Sequence, residues 1–212
     1  MICPQPLALI LNDPILLSHI IDSRLRGEIE ALNRFDANLP RNHRGTVAYH
    51  ETLRELCARL LPLGFIREEE NNQVRLISPP SANGVCCRLL ICKGVVSGTH
   101  AEVNPKGKLT RHLILHENPS HFLRLPLFEL EELPPLNIWC IASVFSDSEG
   151  TEQLGIHLTI PHELNNDGTE FECMESVSIY SGELTTASIP PIDQPDSVDI
   201  DIDFGDKDGT ND

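Results

Sequence analysis

The sequence predicts an α+β fold: two N-terminal helices packed on a mostly antiparallel β-sheet, followed by a disordered acidic C-terminal tail. Three observations carry this. Apolar residues recur at three- and four-residue spacing through the first 61 residues. From residue 65 the pattern changes to short apolar or alternating runs separated by polar turns. From Thr185 onward Pro, Ser, Thr, Asp and Gly dominate, a composition that cannot bury enough apolar surface to order itself. The chain of 212 residues then divides into a helical segment (1–64), a β-rich segment packed against it (65–184) and the tail (185–212).

The first helix is expected over about 14–34. Asp13 can cap it and Pro14 suits its first turn. Ile15, Leu17, Ile20, Ile21, Leu25, Ile29 and Leu32 form its apolar stripe, and Arg24, Arg26, Glu28, Glu30 and Arg34 fall mostly off it. Gly27 weakens it slightly. The second helix is expected over 46–61, with Val47, Leu53, Leu56, Cys57, Leu60 and Leu61 on one side, stopped by Pro62 and Gly64. "GFIREEENNQVRLIS" reads as strand, turn, strand. Further strands are expected in "GVCCRLLICKGVV", "KLTRHLILH", "HFLRLPLFEL", "NIWCIASVF", "LGIHLTI" and "ECMESVSIY". "LGIHLTI" alternates and should bury one face, whereas "NIWCIASVF" is apolar on both faces and should be central. Short connections without helix-length crossovers favour antiparallel pairing.

Charge is placed unevenly. The formal net charge is −16, yet residues 1–60 are balanced and residues 61–124 carry three more bases than acids. No Lys or Arg occurs from Leu125 to Asp206. A field of that sign repels phosphates and attracts basic surfaces, so direct nucleic-acid binding through the C-terminal half is disfavoured and a protein partner with a basic surface is expected. Seven cysteines without a CxxC pair fit buried thiols in a reducing compartment. No apolar run is long enough to span a membrane, and the first basic residue is Arg24, so a cytoplasmic protein without a secretory leader is expected.

Three stretches bear on chemistry. In "VDIDIDF", Val198, Ile200, Ile202 and Phe204 would line one face of an extended chain and Asp199, Asp201 and Asp203 the other, a binding segment suited to the edge of a partner's sheet. It does not fit a calcium loop, because no frame places acids at positions 1, 3 and 5 with glycine at position 6. In "RNHRGTVAYH", five residues lie between Arg44 and His50. This spacing at a helix start resembles the catalytic motif of the HEPN ribonucleases, whose Arg and His act on the RNA backbone. The resemblance implies Arg44 and His50 as a catalytic pair. The chain departs from that family in having Gly45 after the arginine and two expected helices rather than four. In "HLILHENPSH", His112, His116 and His121 invite a metal reading, but a strand separates residues four apart by about 13 Å, too far for one ion.

No phosphate loop, dinucleotide fingerprint or nucleophile elbow is present, and no cofactor or metal is indicated. The leading expectation is a non-enzymatic interaction component, an adaptor, inhibitor or accessory subunit, that uses its acidic half against a basic or sheet-edged protein. The alternatives are an RNA- or DNA-acting enzyme using Arg44 and His50, and a DNA-mimicking inhibitor.

Overall fold

A computed structural model describes residues 7–34, 38–40, 42–70, 73–81, 86–103, 136–146, 149–165 and 169–185. A short helix α1 (Ala8–Leu11) leads into α2 (Pro14–Asn33), and α3 (His43–Leu60) follows. α2 starts as its sequence dictates: the Asp13 carboxylate accepts hydrogen bonds from the amides of Ile15 and Leu16 at 3.1 and 3.0 Å, with Pro14 in the first turn. α3 ends in a single 3-10 turn, and Gly64, at φ +88°, closes it in the left-handed conformation that glycine tolerates.

α2 and α3 pack at very short range around Gly27. A Cβ there would lie 2.1 Å from Thr52 Oγ1 and 2.7 Å from the Ala48 carbonyl oxygen. Glycine is therefore not a passive weakness in this helix. It permits the close approach.

Seven strands follow among the described residues: β1 (Ile66–Glu70), β2 (Gln73–Ile77), β3 (Cys87–Ser97), β4 (His100–Val103), β5 (Leu136–Ser146), β6 (Glu152–Leu164) and β7 (Glu170–Glu183). β1 and β2 form the expected hairpin, which joins the start of β3. The second half of β3 pairs with β4, β4 with β7, β7 with β6 and β6 with β5, all antiparallel. β5 then pairs with the first half of β3 in parallel, from Cys87↔Leu136 to Lys93↔Ala142. The ring β3–β4–β7–β6–β5 is thus a closed five-stranded barrel.

The sheet is mostly antiparallel, as the short connections predict, and closure adds one parallel pair, β3 with β5, that they do not. A parallel pair needs a long return path, and residues 104–135, between β4 and β5, supply one. Two of the expected strands, "KLTRHLILH" and "HFLRLPLFEL", fall in that interval, and the expected tail, 185–212, falls in 186–212 apart from Thr185. Both lie outside the described residues.

β3 and β5 bury both faces. Leu90 and Cys92 of β3 and Trp139 and Ile141 of β5 point into the barrel, where they meet Ala101, Val103, Phe171 and Cys173. Trp139 and Phe171 pack with ring centroids 5.8 Å apart. Leu89, Ile91, Ile138 and Cys140 point outward and share a second core with Leu154, Ile156 and Leu158 of β6 and with Ile20, Ile29 and Leu56 of the helices. The helices therefore seal one outer face of the barrel. Burial on both faces explains why "NIWCIASVF" carries no polar alternation. β6 runs four residues further than its alternating pattern suggests, passing through Pro161 where the register with β7 shifts, an arrangement that spares the ladder a missing donor.

Candidate functional site

Arg44 and His50 both lie on α3. Their positions on the helix are about 9 Å apart along the axis and a third of a turn apart around it. The structure brings Arg44 to Glu152 on β6, not to His50. Arg44 Nη1 donates to Glu152 Oε1 at 2.7 Å, and Nη2 donates to Oε2. This bidentate pair holds the Glu152 carboxyl below the usual carboxylate range, chiefly through the hydrogen bonds from Arg44, against an opposing effect of burial. The same bonds hold the guanidinium proton more firmly still. His50 is exposed, its ring edge-on to Tyr49 at 5.4 Å.

Next to this pair is a buried charge cluster that the helical pattern concealed. Arg24 and Glu28, which fall off the expected apolar stripe, are 1% and 0% exposed. The correction has a physical reason: each charge is met where it is buried. Arg24 Nη2 donates to the Cys92 carbonyl at 3.2 Å and lies 3.1 Å from Glu28 Oε1, while Lys93 Nζ lies 3.0 Å from Glu28 Oε2. The contacts to Glu28 are close enough for charge pairing, though neither is aligned as a hydrogen bond. A buried carboxylate left without such partners would cost several kcal/mol. In the sequence, Lys93 within an apolar strand and an Arg–Glu pair four apart on a helix were the signals available.

Exposed carboxylates gather where β4, β6 and β7 meet. On β4, Ala101 and Val103 point inward and leave His100 and Glu102 exposed. On β7, Phe171 and Cys173 point inward and leave Glu170 and Glu172 exposed. The register sets Glu102 directly opposite Glu170, and Glu172 between His100 of β4 and Glu163 of β6. Side chains in such positions have Cβ atoms about 5 Å apart, and like charges so placed repel. All four carboxylates are exposed.

Two open depressions lie elsewhere. One of about 280 Å³ between α2 and α3 is lined by charged side chains, among which Arg26 pairs with Glu55 and Arg54 with Glu51. One of about 370 Å³ between the start of α2, Leu63, Phe65 and the residues after β2 is largely apolar. Among the described residues no group of three or more His, Cys, Asp or Glu could hold a metal ion, and no helix is long and apolar enough to cross a membrane. The expected binding segment, Val198, Asp199, Ile200, Asp201, Ile202, Asp203 and Phe204, and the histidines 112, 116 and 121 lie outside the described residues. Comparison of the chain with protein-family models, with curated proteins and with solved structures finds no match.

Proposed function

We propose that the protein is a non-enzymatic interaction component that engages a basic protein surface through the acidic side of its barrel. The observation that supports this is the register that sets Glu102 directly against Glu170, with the exposed Glu172 beside them on β7. Exposed carboxylates paired across strands cost stability, and a partner's Lys and Arg side chains would relieve that cost on binding. The absence of Lys and Arg from residue 125 to 206 extends the same field. Val198–Phe204 is proposed as a second arm of the contact, on the strength of its alternating sequence alone.

The test starts with a partner captured by the full chain from its native host and then purified. That partner is titrated against the wild type and against the combined variant Glu102→Gln, Glu170→Gln, Glu172→Gln. Binding should weaken at least about tenfold and lose most of its salt dependence. Equal affinity and equal salt dependence would remove the acidic face from the proposal. A second variant, with Val198, Ile200, Ile202 and Phe204 changed to Ser and every Asp kept, separates apolar docking of the arm from charge.

A further inference from the structure

The two long helices begin in opposite ways. α2 has a capping aspartate with two bonds and a proline in its first turn. α3 has neither: Asn42 makes no side-chain cap, no acid occurs in the first turn, and that turn opens with His43, Arg44 and Gly45. A cation at a helix N-terminus opposes the helix dipole. Glycine inside a helix costs about 1 kcal/mol relative to alanine. By local chemistry alone this turn should not be helical.

What holds it comes from elsewhere. Arg44 is gripped by Glu152 of β6, and Gly45 sits over the stem of Lys93, whose Cδ would lie 3.9 Å from a Cβ at that position. From Ala48 onward the situation reverses. Ala48, Thr52, Leu53, Leu56 and Leu60 are buried, so the rest of α3 is held by packing. Locally the turn has only exposed hydrogen bonds, from the His43 amide to the Pro40 carbonyl and from the Thr46 amide and hydroxyl to the Asn42 carbonyl. The boundary between a turn tied to the barrel by one ion pair and a helix held by a core therefore falls within a few residues. Behind that turn, Lys93 reaches the fully buried Glu28.

We propose that the first turn of α3 is a latch. It opens by breaking the Arg44–Glu152 pair while the remainder of α3 stays folded, and opening gives solvent access to the Glu28 carboxylate behind the partly exposed Lys93. Segments held by few buried contacts open at lower free energy than the global transition, and the Arg44–Glu152 pair is the charged tie between this turn and the barrel. The latch stands apart from the acidic face and does not depend on it.

Native-state amide hydrogen exchange on the full chain tests this. In the wild type, the amides of Thr46 to Ala48 should exchange at least about ten times faster than those of Leu53 to Cys57 and of Leu17 to Ile20. Glu152→Gln should speed Thr46 to Ala48 by about tenfold more and leave the two reference segments unchanged, the size expected for loss of one charged hydrogen-bonded pair. Gly45→Ala, which has room for its methyl group, should slow the same three amides. Uniform protection along α3 in the wild type would overturn the latch. So would a Glu152→Gln effect that is absent at the turn or equal in all three segments, or a Gly45→Ala variant that exchanges no more slowly.

Discussion

Gly27 and Gly45 are both helical glycines, and the structure gives them opposite roles. At Gly27 the added methyl group of alanine would meet not only the Thr52 hydroxyl at 2.1 Å but also backbone atoms, the Ala48 oxygen at 2.7 Å and the Thr52 nitrogen at 2.8 Å. Backbone cannot step aside, so α2 and α3 must separate. Overpacking of this kind costs about 3 kcal/mol, against a gain of about 1 kcal/mol from removing a helical glycine. Gly27→Ala should therefore destabilise the chain by about 2 kcal/mol or more in urea unfolding, while Gly45→Ala should be neutral or stabilising. If Gly27→Ala unfolds at the wild-type midpoint, the close helix approach is wrong. The sequence marked Gly27 only as a flaw in a helix, because what requires glycine there is a partner helix distant along the chain.

At the scale of elements, what was legible follows from periodicity. The 3.6-residue stripe located α2, the polar turn between β1 and β2 located the hairpin, and alternation located the first half of β6. What was not legible depends on partners. No local pattern reports that β3 and β5 run parallel and close a barrel. β4, four residues long, offers too few positions for alternation to register. The burial of Arg24 and Glu28 depends on Lys93 arriving from β3. The candidate pair Arg44–His50 was chosen by spacing along one helix, whereas Arg44 found its partner on β6. Element burial also sets thiol reactivity. Cys140 of β5 is fully enclosed and burial pushes its thiol up to about 12; Cys173 of β7 is pushed to about 11 by burial and by the neighbouring Glu172. Thiols so shifted are not nucleophilic at about pH 8. Peptide-resolved labelling of the native chain with a maleimide should modify the half-buried Cys86 and leave Cys140 and Cys173 unmodified until denaturant is added. Native labelling of Cys140 at the rate of Cys86 would contradict the barrel.

For the whole molecule, the charge asymmetry and the fold belong to one problem. β5, β6 and β7 carry no Lys or Arg, so any ion pair that ties them to the helices must take its cation from the first 124 residues. Arg44–Glu152 is such a tie, from the start of α3 to β6. Because the pair lowers the folded-state pKa of Glu152 below its ordinary 4.5, its contribution is fully present above about pH 4.5 and is lost as the pH falls through the lowered value. His157, whose pKa burial lowers from 6.5, takes up a proton more readily when unfolded, so it adds a second loss that begins as the pH falls below about 6.5. Relief of the overall negative charge on acidification works the other way, and the three effects overlap in a single pH–stability curve. They separate in a difference. Wild type and Glu152→Gln share His157 and share the net field to within one charge. At about pH 7 the wild type should be the more stable, and that advantage should hold down to about pH 4.5 and then shrink towards zero below it. Unfolding midpoints measured in parallel for the two chains from about pH 7 to about pH 3 give the curve directly. A gap that stays constant across the acid range would mean that Glu152 is not held ionised by Arg44, and that the tie between α3 and the barrel is steric rather than electrostatic.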